Sequence, residues 1–238
     1  MNGAHFANRL EAGKRLTGRL ARYLELRDVV VVGLSNGGIP VASAIATSLS
    51  LDLDFIAVKK VFLKDNQSGL IGAVAADGSR HVSINTMEAD PDYRKLVDQR
   101  MDLELRRLKK IDSYYRARFP KTSLHGRHVI LIDDGIQSAT TITAAISAIK
   151  KQCPKSVVVA TPLISSDAFD SIIPLVDELI CLEVFPPYKS ISDLYDCYNP
   201  IEVGDVVCLL DNYSAFTGKQ AFKVPILNDV VAPRFASC

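Results

Sequence analysis

Several features that would settle the class of this chain at a glance are missing from it. No apolar run among its 238 residues approaches the ~20 that a transmembrane helix needs, so no membrane segment is expected. The opening stretch, MNGAHFANRLEAGKRL, lacks the apolar core of a signal peptide. The cysteines are Cys153, Cys181, Cys197, Cys208 and Cys238, an odd number with no C-x-x-C pair. They read as reduced thiols rather than as a disulfide framework or a zinc site. A formal net charge of +1 provides no whole-molecule field for nucleic acid or an anionic membrane. No G-x-x-x-x-G-K-[ST] occurs, which removes the P-loop nucleotide-binding proteins. There is also no internal repeat and no low-complexity linker. The expectation is a soluble cytoplasmic protein with one main domain over residues 1–212 and a C-terminal tail over 213–238.

Apolar material is ample, at 48% of residues, and its spacing indicates how it is used. Phe6, Leu10, Leu16, Leu20 and Leu24 recur mostly at four-residue intervals, as on an amphipathic helix. Val29 to Val32 form an unbroken β-branched run, typical of a strand buried on both faces. After the loop LSNGG, a helix is expected to start near Ile39, with Pro40 in its first turn. DFIAV (residues 54–58) completes a βαβ unit. Residues 71–85 read as a hairpin turning at Asp77-Gly78, and residues 91–118 as a long charged helix. HVILI, SVVVAT and ELICL supply three more strands. This alternation predicts a three-layer α/β/α fold with a mainly parallel sheet of about five strands, plus a small hood or hairpin.

In such a sheet, ligands bind beyond the carboxyl ends of the strands. Two segments of unusual composition leave strands there: Ser35-Asn36-Gly37-Gly38, and Asp133-Asp134-Gly135-Ile136-Gln137-Ser138-Ala139-Thr140-Thr141. Ser138 to Thr141 are small and open a helix, where free backbone N–H groups and the positive dipole end hold a phosphate. Ionised Asp133 and Asp134 are acceptors suited to vicinal sugar hydroxyls. Diol and phosphate together describe a ribose 5-phosphate. The plainer alternative is that Asp134 caps a turn and the small residues allow close packing.

VILIDDGIQSATT resembles the phosphoribosyl-diphosphate (PRPP) signature of the type I phosphoribosyltransferases. The resemblance extends to a bacterial subgroup through Gly37-Gly38-Ile39-Pro40-Val41-Ala42, Ile71 to Val74, Asp177 and the late aromatics Phe185, Tyr188, Tyr195 and Tyr198. It covers roughly residues 5–210. It implies ribose hydroxyls on Asp133 and Asp134, the 5-phosphate on Gln137 to Thr141, and pyrophosphate along Ser35 to Gly38. Mg²⁺ would arrive with PRPP rather than on a direct protein site, helped by Lys59 or Lys60, and Lys60 would join the two aspartates in catalysis. Residues 61–70 would form a mobile loop, Phe185 or Tyr188 would stack on a small-molecule acceptor such as a nucleobase, and a homodimer would be usual. Ser138-Ala139 replaces the family's Thr-Gly, Asn36 stands where the subgroup carries arginine, and Ser68 stands where it carries glutamate. A second reading is a protein of this fold that binds a nucleotide or phosphosugar in a regulatory role.

Two other patterns compete. Gly33-Leu34-Ser35-Asn36-Gly37 matches the G-x-S-x-G nucleophile elbow of serine hydrolases. Residues 106–121 hold seven basic side chains and two tyrosines, Tyr114 and Tyr115. Such a run is expected to be the solvated face of a helix with cations near its C-terminus, not a nucleic-acid surface.

Overall fold

The computed structural model describes residues 5–64, 68–83 and 91–218. Its centre is a five-stranded parallel sheet in the order β2-β1-β6-β7-β8. These strands span Asp52–Ile56, Val29–Leu34, His128–Ile132, Ser156–Ser165 and Glu178–Phe185, respectively. The pairing runs Val30↔Asp52, Val30↔Val129, Ile130↔Val158 and Ala160↔Ile180. The unbroken apolar runs exist because both faces are covered. Val29 and Val31 of β1, with Ile130 and Ile132 of β6, enter one core. Val30, Val32 and Leu34, with Val129 and Leu131, enter the other. Successive side chains on a strand point to opposite faces, so an α/β/α sandwich needs apolar residues at every position.

Helices α1 (Arg9–Leu20), α2 (Ser35–Leu49) and α6 (Val203–Thr217) contribute to the first core. Helices α4 (Ala139–Lys150) and α5 (Ser166–Ile172) contribute to the second. A smaller antiparallel sheet, β3 (Val58–Phe62), β4 (Leu70–Ala75) and β5 (Arg80–Val82), carries α3 (Pro91–Arg116). Val61, Ile71, Val74, Val97, Met101 and Leu108 form its separate core, the expected hood. At its far end α3 leaves the hood, and Tyr115 sinks into the main core against the edge of Phe55.

Several local expectations change. Helix α1 ends at Leu20 and a short 3₁₀ turn follows, leaving Leu24 half exposed. Phe6 is not helical; it zips against residues 194–196 through Phe6 N–H to Leu194 O (3.1 Å) and Asp196 N–H to Phe6 O (2.9 Å). The LSNGG loop is not a loop, because α2 begins at Ser35, which sits at φ +52°, and Pro40 falls inside the helix. The last described helix crosses residue 212 without a break. Helix α6 runs to Thr217, and the hydroxyl of buried Tyr213 donates to Leu51 O at 2.6 Å. The rest of the expected tail, the middle of the expected mobile loop (65–67) and the end of the hairpin (84–85) lie outside the described residues. Cys153, Cys181 and Cys208 are free thiols. No helix among the described residues is long and apolar enough to cross a membrane.

Candidate active site

The strand order reverses direction between β1 and β6, and a crevice opens where two adjacent strands send their connections to opposite sides. A cleft of ≈ 390 Å³ lies there. It is lined by Ser35, Asn36 and Gly37 after β1, by Lys59 and Lys60 of β3, and by Asp133 to Ser138 and Thr141 after β6. Three segments far apart in sequence, each expected to bind part of one ligand, therefore face the same space.

The connection after β6 is pinned along its length. Ile136 N–H donates to Leu163 O and Ser165 N–H to Ile136 O, both at 2.9 Å, which extends β7 pairing past Ile132. The Ser165 hydroxyl holds Gln137 O at 2.9 Å, and Gln137 Nε2 donates to Pro187 O at 3.1 Å. Ser138 is the extended N-cap of α4, and its hydroxyl makes no capping hydrogen bond. The first-turn N–H groups of α4 lack intrahelical acceptors, as at any helix start. Ala139 does not occupy positive φ, so replacing glycine there introduces no backbone strain. Ser138 and Thr141 line the cleft, whereas Ala139 and Thr140 are not among its lining residues.

The two aspartates have separate environments. Asp134 is buried, and its Oδ2 accepts from Arg9 Nε at 2.6 Å. The Arg9 guanidinium also donates to Asn199 O at 2.8 Å and lies 4.0 Å over the Tyr198 ring. The Tyr195 hydroxyl donates to Asp134 O at 2.7 Å. A Cβ on Gly37 would stand 2.7 Å from the Asp134 carboxylate, and one on Gly38 only 2.4 Å from Ile132 O. The double glycine is therefore what lets the first turn of α2 press against β6 and its acids. Asp133 faces the cleft and accepts its neighbour's backbone N–H at 3.0 Å. Burial, and then the adjacent Asp134 charge, push its carboxyl well above the usual range, with Lys60 pulling weakly the other way.

Other expected residues separate from the site. Phe185 is a correction: its ring is buried with Phe6, Leu163 and Tyr195, so it has no face for an acceptor. Tyr188 is exposed and is not among the lining residues. Sequence reading missed Arg9, Ile191 and Ile201, which line the cleft with Tyr198. The one available signal was chemical, since a buried aspartate requires a cationic partner, but nothing local pointed to Arg9. Asn36 is held by donation to Ile201 O at 3.0 Å and by the Tyr115 hydroxyl at 3.3 Å. The Ser35 hydroxyl donates to Val58 O at 2.7 Å and no histidine lines the cleft, so Ser35 has no base of the hydrolase kind. Tyr114 and Tyr115 pack into the main core rather than onto a surface with the basic residues of 106–121.

The cleft thus lies at the switch point of a parallel sheet, between a paired-acid strand end and the start of α4. The phosphoribosyl transferase domain family matches residues 5–168, and the chain belongs to that family. Two Mycobacterium tuberculosis proteins provisionally named as phosphoribosyl transferases are 30% identical over 209 residues, 87% of this chain. The match spans only 46% of their own length, so the chain corresponds to about half of each. The crystal structure of the protein TT1426 from Thermus thermophilus superposes with a TM-score of 0.72 at 30% identity, covering 88% of this chain and 99% of that one.

Proposed function

We propose that the cleft binds PRPP and that the protein transfers its ribose 5-phosphate to a nucleobase-like acceptor, releasing pyrophosphate. The observation that carries this reading is the convergence of Asp133, the start of α4 and Lys59/Lys60 on one cleft. The 5-phosphate would take the N–H groups of the first turn of α4 with the Ser138 and Thr141 hydroxyls. The ribose would lie over Asp133, whose carboxylate stabilises the positive charge that develops at the anomeric carbon as pyrophosphate leaves. Pyrophosphate would run along Ser35 to Gly37 toward Lys59 and Lys60. The donor set suits Mg²⁺ in the way that ion is usually held, by one or two carboxylates plus substrate phosphates and water. When bound, Mg²⁺ would supply Lewis-acid stabilisation of the leaving pyrophosphate. The acceptor would meet Ile191 and Ile201, because Tyr198 is already engaged with Arg9 and stacked on Tyr195.

The test is pyrophosphate release from PRPP and Mg²⁺ across a panel of purine and pyrimidine bases. Base-dependent release that falls about 100-fold or more in Asp133→Asn supports the reading. A second reading, PRPP or nucleotide binding without turnover, draws on the Arg9–Asp134 pair, which leaves Asp133 as the cleft's less encumbered acid. PRPP binding with no release for any base would favour it.

A further inference from the structure

Ile191, Tyr198 and Ile201 line the cleft from the segment that leads from β8 to α6. Within it, residues 196–202 form neither helix nor strand, so their path along the cleft depends on what they are tied to. Most of the ties come from the other end of the chain. Asp196 N–H donates to Phe6 O at 2.9 Å, and Cys197 N–H to Ala7 O at 3.0 Å. Arg9 Nη1 donates to Asn199 O at 2.8 Å, and its guanidinium lies 4.0 Å over the Tyr198 ring. Asn36 Nδ2 adds a further tie at Ile201 O. Arg9 makes its two contacts to this segment while its Nε holds Asp134 Oδ2 at 2.6 Å. Asp134 borders the cleft but is buried, and both its oxygens lie within 2.9 Å of where a Gly37 Cβ would stand. A sugar hydroxyl that took Asp134 Oδ2 would therefore have to displace Arg9, and with it the hold on Asn199 and Tyr198. A buried ion pair adds little stability that two apolar side chains could not supply. What a planar guanidinium adds is direction, since it donates along its edges and offers a face to an aromatic ring.

We propose that Asp134 is not a sugar ligand, and that with Arg9 it forms a positioning pair that sets the wall of Tyr198 and Ile201 and so governs acceptor selection. This rests on the phosphoribosyl reading of the cleft. It divides the adjacent acids into one that meets the ribose, Asp133, and one that shapes the acceptor side. Arg9 acts through Asn199 and Tyr198 rather than on the reacting atoms. The wall is apolar at Ile191 and Ile201, and the Asn36 amide beside it already donates to Ile201 O and accepts from the Tyr115 hydroxyl. Such a wall recognises a flat ring by packing against it, so its exact placement decides how well a given base fits.

Calorimetry separates sugar from base by comparing ribose 5-phosphate with AMP, GMP, UMP and CMP, with PRPP and Mg²⁺ titrated alongside. The proteins are the wild type, Arg9→Leu/Asp134→Leu, Arg9→Lys, Ile201→Ala and Asp133→Asn. The double variant leaves no lone buried charge, and Arg9→Lys keeps the charge without the fork, so both retain the fold. The wild type should bind at least one of the monophosphates about tenfold or more tighter than ribose 5-phosphate. That preference should fall about tenfold in the double variant, in Arg9→Lys and in Ile201→Ala, while ribose 5-phosphate binding stays within about twofold of the wild type. Asp133→Asn should instead weaken ribose 5-phosphate and the monophosphates alike. A merely structural role for Arg9 would weaken all of these ligands together. Loss of ribose 5-phosphate binding in the double variant would make Asp134 a sugar ligand and overturn the proposal. So would a full preference kept by the double variant and Arg9→Lys, or no preference in the wild type. In each of these cases intact PRPP binding leaves the phosphoribosyl reading standing. Failure of the wild type to bind PRPP, ribose 5-phosphate or any monophosphate at millimolar concentration overturns both.

Discussion

Arg9 reaches across 125 positions of sequence to pair with Asp134 at 2.6 Å, and both side chains are nearly excluded from solvent. Removing one member of such a pair leaves an unbalanced buried charge, whereas removing both does not. Arg9→Leu should cost about 3–5 kcal/mol in urea unfolding, and Arg9→Leu/Asp134→Leu should recover most of that. Asp133 behaves differently because its carboxyl titrates above its ordinary value. A group raised on folding contributes stability below its unfolded value and loses it as pH rises through the folded one. Asp133→Asn should therefore melt higher than the wild type at neutral pH, with the gap closing as pH falls below the ordinary carboxylate range. Ligand binding runs the other way. A ligand that requires the Asp133 carboxylate should bind more weakly as pH falls through the raised value, and should release protons when it binds near that pH. Titrations in buffers of different ionisation enthalpy would detect that release. The acid pair was legible in the sequence as a unit, but the division of labour within it was not. That division arises from Arg9, which sits on the N-terminal helix among residues that read as surface.

At the scale of elements, the first turn of α2 sets the width of the cleft. Gly38→Ala would drive a methyl group to 2.4 Å from a backbone carbonyl that cannot move alone, so α2 must shift off β6. A cost of about 1–3 kcal/mol or more is expected by chemical denaturation, together with loss of ligand binding. Gly18, in α1, provides the contrast. A Cβ there meets nothing within 4 Å, and Gly18→Ala should stabilise by about 0.4–1 kcal/mol. The true start of α2 was hidden because Ser-Asn-Gly-Gly followed by Ile-Pro carries every local sign of a loop. Close packing against the acids overrides those signs, and the glycines serve the contact rather than a turn. Helix α4 was easier to place, since its apolar face and small N-terminal residues agree with its position in the fold.

Across the whole molecule, the parallel sheet was readable because each central strand is an unbroken apolar run, and only burial on both faces explains that pattern. The joints between layers were not readable, since they depend on single long-range partners. Arg116 links the hood helix to Asp54, which is fully enclosed and accepts from Arg116 Nη1 (2.5 Å), Phe55 N–H (2.7 Å) and Thr122 N–H (3.0 Å). Tyr213 ties α6 to the end of α2 and the start of β2 in the same way; Tyr213→Phe should cost about 0.5–1.5 kcal/mol by urea unfolding. The Arg116–Asp54 tie joins the hood helix to the sheet, and so links the lysines on one side of the cleft to the aspartates on the other. Whether that cleft takes PRPP is tested most directly by calorimetric titration of PRPP with Mg²⁺ into the wild type and Asp133→Asn. Saturable binding that weakens about tenfold or more in the variant is the predicted result. Absence of binding at millimolar PRPP, or equal binding by both proteins, would contradict it.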